Sequence, residues 1–284
     1  MKTTILSTLC ASLCVLFATK IAGHGAAAAS DNASDTAYNS GFNHNTNGGL
    51  GFAPWGFNNS VAGSTTVNSS FAGEFIGNSA ANGSGASGNI NVAGESWGLY
   101  ANTNNTANAT RPFLTGGTNS SNILDVAQSF SLQMDNGFLN TNASVGFGLQ
   151  NGSGTNRIEF YFVGGHNFYD IKIAGTEKST NLVGNGTPFT ADGLAITFNQ
   201  LAANGWTLDV TPNGGSLKTY SSADFGALAS SDISQVRLFN FNNSTGGAAR
   251  DAFFNSATIV PEPSSLILAV LTGSGVLALR RRRS

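Results

Sequence analysis

The chain has 284 residues, of which 40 % are hydrophobic and only 10 % are charged. Residues 30–259 contain seven Lys or Arg and fourteen Asp or Glu, a formal charge of −7, which argues against nucleic-acid binding because that function needs a basic face. The 20 Phe residues supply enough apolar surface for a folded core, so the low charge does not indicate disorder.

Residues 1–29 have the features of a secretory signal peptide. Lys2 precedes an apolar run from Ile5 to Ala18 that is short for a membrane span, and Ala26 to Ala29 offer small-residue cleavage sites. We therefore expect passage through a secretion translocon, with an uncleaved membrane anchor as the alternative. Both cysteines of the chain lie within this segment, so the mature protein is predicted to fold without disulfides.

Residues 30–259 are predicted to form one ectodomain. The part from Asn39 to Asn122 is rich in turn clusters, whereas an alternation of polar and apolar residues begins at Ile123. In "RIEFYFV", at 157–163, the apolar residues Ile, Phe and Phe share one face, and Glu159 and Tyr161 share the other. A period of two residues is typical of strands that are buried on one face.

Short strands separated by turns predict an all-β fold, namely an antiparallel β-sandwich. We expect its core to lie C-terminal to Ile123, with Phe130, Phe160 and Phe239 meeting between two sheets. Three dipeptides that favour tight hairpin turns lie next to apolar segments: Asn136-Gly137, Asp192-Gly193 and Asn213-Gly214.

The last 25 residues, 260–284, differ in character from the rest. Pro261, Glu262 and Pro263 form a stiff, extended peptide, because each proline restricts both its own backbone and that of its predecessor. The apolar stretch 264–279 would make a helix of about 24 Å, short for a bilayer core of about 30 Å. The cluster Arg280, Arg281, Arg282 and Arg283 should remain cytoplasmic, with the ectodomain outside.

This ordered tail, "VPEPSSLILAVLTGSGVLALRRRRS", resembles the PEP-CTERM sorting signal of exported bacterial proteins. The resemblance implies recognition by exosortase near Pro261-Glu262-Pro263, after transient anchoring in the inner membrane of a Gram-negative-type bacterium. It further implies a final place at the cell surface or in the extracellular matrix, in association with exopolysaccharide. An ordinary tail anchor with a proline spacer is the alternative.

Three segments of the ectodomain resemble carbohydrate-binding jelly-roll and concanavalin-like lectin domains: "SWGLYANT" at 96–103, "RIEFYFVGG" at 157–165 and "DAFFNSATI" at 251–259. Aromatic rings stack on the C–H faces of sugars, so Trp55, Trp97 and Tyr100 are the candidate glycan-binding residues. In a strand Trp97 and Tyr100 would point to opposite faces. The alternative is that the tryptophans fill the core, which is favoured for Trp206.

No catalytic residue and no cofactor are predicted. The ectodomain has no pair of acids at i and i+2 such as a glycosidase strand would provide, although acids from separate strands could still meet. It also has no cysteine or paired histidines at zinc spacing, so no metal site is predicted, while a structural calcium ion is left open. The favoured hypothesis is a non-enzymatic surface or matrix protein that binds a glycan, and the alternative is a secreted hydrolase acting on polysaccharide.

Overall fold

The computed structural model describes residues 28–59, 71–82, 89–114, 122–202 and 204–260. They belong to one compact unit, residues 27–260. Nearly all of the predicted signal peptide and, apart from Val260, the whole predicted sorting signal lie outside the described residues. Within the described ranges no helix is long and apolar enough to cross a membrane.

The described residues form an antiparallel β-sandwich, as the sequence predicted. The strands are β1 Ala29–Asp31, β2 Gly56–Phe57, β3 Ala72–Gly77, β4 Ser96–Ala101, β5 Asn105–Pro112, β6 Ser129–Asn136, β7 Ser144–Gln150, β8 Asn156–Val163, β9 Asp170–Ile173, β10 Thr176–Ser179, β11 Leu194–Ala202, β12 Gly205–Pro212, β13 Lys218–Ser221, β14 Gln235–Asn242 and β15 Ala252–Val260. The one described α-helix, α1, is the single turn Ser222–Phe225.

Two sheets make up the sandwich. One, called here the eight-stranded sheet, has the order β13-β12-β11-β6-β15-β4-β3, with β1 also paired to β15. The other, called the seven-stranded sheet, has the order β10-β9-β8-β7-β14-β5-β2. Strands that follow each other in sequence often lie in different sheets, as β6 and β7 do, so much of the chain crosses between the two layers.

The core lies between the two sheets and uses the alternation that the sequence shows. Phe130 on β6 and Phe160 on β8 are buried in it, as predicted. Phe239 on β14 is not part of this core, because its neighbour Leu238 takes the inward position. Phe239 instead lies on the outer face of the seven-stranded sheet, where its ring centroid is 6.2 Å from that of Tyr161. The prediction of a shared site for the three phenylalanines was therefore wrong at Phe239.

The core is not confined to the region after Ile123, contrary to the sequence prediction. Strand β4 lies between β15 and β3, and β5 lies between β14 and β2. Strand β5 has the sequence "NTANATRP" and turns Ala107, Ala109 and Arg111 towards the interior. Two alanines and an arginine do not look like the inner face of a strand, which explains why hydrophobic periodicity failed to mark this element.

Only one of the three predicted hairpin turns joins paired strands. Asn213-Gly214 lies between β12 and β13, which pair in register, and Gly214 has the positive φ that such a turn requires. Asn136-Gly137 and Asp192-Gly193 lie on connections between the two sheets. Of the three dipeptides, only Asn213-Gly214 forms the predicted tight turn, whereas Asn136 is the last residue of β6 and Asp192-Gly193 precedes β11 without a positive φ.

A buried ion pair ties the two sheets together near the start of the ectodomain. Arg111 of β5 places Nη1 2.5 Å from Oδ2 of Asp31 on β1, and both side chains are 1 % exposed. The Tyr38 hydroxyl donates to the same Asp31 oxygen and accepts from Arg111 Nη1 at 2.7 Å. Strand β1 in turn pairs with β15, so Ala29 lies opposite Ile259. The two ends of the described unit are thus adjacent on neighbouring strands.

Candidate functional site

A groove with a volume of about 480 Å³ lies on the outer face of the seven-stranded sheet. The strands β8, β9, β10 and β14 supply most of its walls, through the side chains that alternate away from the core. The aromatic and charged residues among those that line it are Glu159, Tyr161, Lys172, Glu177, Arg237, Phe239 and Phe241.

An ion-paired row crosses the floor of the groove. Gly148 on β7 is paired with Glu159 on one side and with Arg237 on the other, so the two charged side chains can meet above it. Arg237 Nη1 lies 3.6 Å from Glu159 Oε1, and Lys172 Nζ lies 4.0 Å from Glu159 Oε2. Burial raises the pKa of the Glu159 carboxyl, and the two cations act in the opposite direction.

An aromatic row lies next to the charged one. Gly146 on β7 separates Tyr161 from Phe239 in the same way, and a Cβ atom at Gly146 would lie 2.3 Å from the backbone oxygen of Phe160. Only glycine fits there. The Arg237 guanidinium lies 4.6 Å from the centre of the Phe239 ring, so the two rows are in contact.

A third set of polar groups lies at the β9–β10 end of the groove. The Tyr161 hydroxyl donates to Glu177 Oε2, and His166 Nδ1 lies 2.7 Å from Asp170 Oδ2. Burial raises the pKa of the Asp170 carboxyl, while the hydrogen bond to His166 lowers it. Burial likewise raises the pKa of Tyr161, and the neighbouring Glu177 adds to this effect. The groove thus combines acids, cations and rings on one face of one sheet.

Trp55 and Trp97 are not displayed at the surface, which corrects the expectation that they stack on a glycan. Trp55 is 1 % exposed, Trp97 is 0 % exposed, and their ring centroids lie 5.3 Å apart. The Trp55 indole donates to the Tyr38 hydroxyl at 2.8 Å, and the Arg111 guanidinium lies 4.9 Å from its ring. The structure brings these two tryptophans together, but it does so around the buried ion pair. The alternative that they fill the core describes them correctly.

Tyr100 faces away from Trp97, as the strand geometry predicts, and Trp206 lies in the core, as its apolar ring favoured. Tyr100 is partly exposed and faces away from buried Trp97, on the outer face of the eight-stranded sheet beside Phe75. Trp206 is fully buried and donates its indole N–H to the Gly226 oxygen at 3.0 Å. Tyr100 therefore remains a candidate, but it lies on the other sheet from the groove.

The remaining predicted site residues lie outside the described residues. They are the sorting motif Pro261, Glu262 and Pro263 and the membrane anchor Arg280, Arg281, Arg282 and Arg283. The groove itself contains residues that sequence reasoning did not select. Glu159 and Tyr161 were placed on the outward face correctly, yet their partners come from β9, β10 and β14, which only tertiary structure identifies.

The fold and groove define the chain as an antiparallel β-sandwich with a mixed polar and aromatic site on one outer face. No protein-family model matches it, and no curated protein matches it either. Among solved structures it is similar to the catalytic domain of a glycoside hydrolase family 131 protein from Coprinopsis cinerea, at 16 % identity and a TM-score of 0.41, covering 67 % of this chain and 78 % of that one.

Two further solved structures have comparable likeness. Cellulose induced protein Cip1 is 9 % identical with a TM-score of 0.45, covering 72 % of this chain and 90 % of that one. An alginate lyase from Klebsiella pneumoniae is 11 % identical with a TM-score of 0.39, covering 62 % of this chain and 84 % of that one. At such identities and scores, the function of this chain has to be argued from its own residues.

Proposed function

We propose that this chain is an exported surface or matrix protein that binds a glycan in the groove of the seven-stranded sheet. The observation that carries the proposal is the groove itself. Its volume of about 480 Å³ lies within the range of about 300–1,000 Å³ that is common for ligand sites. Its walls combine rings with hydrogen-bonding groups, which is the combination that a sugar's C–H faces and hydroxyls require.

Several groups in the groove are available to a ligand. Phe241 is partly exposed, so its ring can contact a sugar face, and the Lys172 side chain is 39 % exposed. Asn142 is exposed on the turn before β7 and adds an amide. Glu159 and Arg237 are already held by ion pairs, so little side-chain entropy is lost when a ligand contacts them.

Export and sorting belong to the same proposal and are supported by the sequence. The signal peptide, the Pro-Glu-Pro motif and the arginine cluster support secretion, cleavage by exosortase and association with exopolysaccharide. The pairing of β1 with β15 fits this route, because both processing sites would leave the folded unit at neighbouring strands.

A binding experiment with paired variants tests the glycan site. The wild-type protein and the Tyr100→Ala variant should bind to the native exopolysaccharide, whereas the Phe241→Ala variant should not bind. Both substitutions remove a partly exposed ring, so they are matched, and their thermal midpoints would verify that both proteins are folded. If Tyr100→Ala loses binding and Phe241→Ala keeps it, the site lies on the eight-stranded sheet instead.

The hydrolase alternative gains one specific observation. Acids from separate strands line the same groove: Glu159 on β8 and Glu177 on β10 lie on either side of Lys172 on β9. Two strand spacings put their backbones about 10 Å apart, which is compatible with the wider carboxylate separation of inverting glycosidases. Burial raises the pKa of Glu159, as a proton donor requires.

Release of reducing ends from the native polysaccharide separates the two functions. An enzyme would release them steadily and lose this activity on Glu159→Gln substitution while still binding. A protein that only binds the polysaccharide would release no reducing ends at any protein concentration.

A further inference from the structure

Three side chains of metal-binding type converge at the β9–β10 end of the groove. They are His166, in the turn after β8, Asp170 at the start of β9, and Glu177 in β10. One ligand atom of each lies within 4.8 Å of those of the other two. Together they offer one imidazole and two carboxylates from three successive parts of the chain.

The turn that carries His166 is built so that the chain folds back over the sheet. A Cβ atom at Gly164 would lie 1.9 Å from the backbone oxygen of Asn140, and Gly165 has a φ of +98°. The His166 N–H then closes the turn by donating to the Val163 oxygen at 3.0 Å. Glycine at both positions lets the imidazole reach Asp170.

Asp170 is the observation that points to a ligand. Its side chain is only 3 % exposed although it lies on an outer sheet face. One oxygen contacts His166, while the other accepts no hydrogen bond from the described residues. Asp170 Oδ1 is not among the fully enclosed side-chain atoms that lack a hydrogen-bond partner, so it remains accessible to an ion.

The neighbouring protein cations are engaged elsewhere. Lys172 and Arg237 form their ion pairs with Glu159. Within the described ranges, neither Asp170 nor Glu177 forms a salt bridge with a lysine or an arginine. Negative charge is therefore concentrated at this end of the groove.

Tyr161 orients Glu177, the third ligand, through a hydrogen bond. Its hydroxyl donates to Glu177 Oε2, so one carboxylate oxygen is fixed and the other is available. Second-layer hydrogen bonds of this kind commonly hold metal ligands in place. Tyr161 and Glu177 also line the groove, so a metal here would face it.

We propose that His166, Asp170 and Glu177 bind a first-row divalent transition-metal ion, with Zn²⁺ as the best match. One imidazole and two carboxylates leave a fourth position open for water or for a ligand in the groove. Ligand atoms around a tetrahedral zinc lie about 3.3 Å apart, so modest side-chain movement would replace the contact between His166 and Asp170 by bonds to the metal. Ca²⁺ fits less well because it prefers oxygen ligands only.

Metal titration of the purified full-length chain tests this site without reference to glycan binding. After chelation and dialysis, the wild-type protein should bind one equivalent of Zn²⁺, and its thermal midpoint should rise on addition of the ion. Ca²⁺ at equal concentration should not displace the zinc. His166→Gln and Glu177→Gln should each weaken binding more than tenfold.

Matched controls make the result decisive. His44→Gln removes an exposed histidine outside the cluster and should bind Zn²⁺ as the wild type does. Glu177 is exposed, so Glu177→Gln should remain folded even if an exchange at buried Asp170 does not. Absence of saturable Zn²⁺ binding, or equal affinity in wild type, His166→Gln and Glu177→Gln, would overturn the proposal. If the wild-type protein binds Zn²⁺ but does not bind the exopolysaccharide, the proposed glycan site in the groove is wrong and the proposed metal site stands.

Discussion

Replacing Arg111 with leucine should strongly destabilise the sandwich, because it leaves the Asp31 carboxylate buried without its cation. The two side chains are 1 % exposed and lie 2.5 Å apart between Arg111 Nη1 and Asp31 Oδ2. Arg111 also donates to the oxygens of Tyr38 and Gly48, each at 2.7 Å. Removal of one partner from a buried pair costs about 3–5 kcal/mol.

That loss is large on the scale of the domain. Native domains have about 5–15 kcal/mol of unfolding free energy, and a loss of about 4 kcal/mol should lower the thermal midpoint by about 8–16 °C at this chain length. Arg157→Leu is the matched control, because its partner Asp232 is 44 % exposed. Such a pair contributes about 0–1 kcal/mol, so the control should lose at most a few degrees.

Urea unfolding of both variants at pH 5 and pH 8 is the assay. Burial raises the pKa of Asp31 to about 7, and the Arg111 charge lowers it, so without Arg111 the acid should bind a proton even more readily. The cost of Arg111→Leu should therefore be smaller at pH 5 than at pH 8. The double variant Asp31→Leu/Arg111→Leu should recover part of the loss. A cost for Arg111→Leu no greater than that for Arg157→Leu would refute the reasoning.

Three other outcomes are expected. The free energy of unfolding should fall as pH rises from 5 to 8. Burial raises the pKa of Glu74 and Asp251 to about 7 and that of Asp135 to about 6, so the folded state binds more protons in this window than the unfolded state does. A higher urea midpoint at pH 8 than at pH 5 would contradict this. Phe160→Ala should cost about 3–5 kcal/mol in unfolding experiments, since Phe160 is fully buried against Tyr169, and a neutral effect would mean that the core is misassigned. Mass spectrometry of the exported protein should find no peptide from 266–283, and recovery of an intact tail on most molecules would argue against cleavage.

The alternation of residues in single strands predicted the fold class and several orientations. "RIEFYFV" showed that Phe160 faces the core and that Glu159 and Tyr161 face outward, because period two is a local property of the strand. The same reasoning did not identify β5, whose inward residues include Arg111. A buried arginine becomes intelligible only with its partner Asp31, which is far away in sequence and on the other sheet.

The candidate site was less accessible to sequence reasoning than the fold. The search for acids at i and i+2 could not find Glu159, Asp170 and Glu177, since they come from three adjacent strands. Trp55 lies in the turn-rich part of the chain from Asn39 to Asn122, but its ring packs against Phe42 at a centroid distance of 5.1 Å. Turn-rich sequence indicates an irregular backbone, and the burial of its side chains depends on what packs over it.

Amide chemical-shift mapping with the native exopolysaccharide tests the central claim, glycan binding in the groove, most directly. In isotope-labelled protein, the shifts should change around Glu159 to Val163, at Lys172 and around Arg237 to Phe241. Amides near Tyr100 on the eight-stranded sheet should stay unchanged. Saturable shifts confined to the residues around Tyr100, or no shifts at any polysaccharide concentration, would contradict the account.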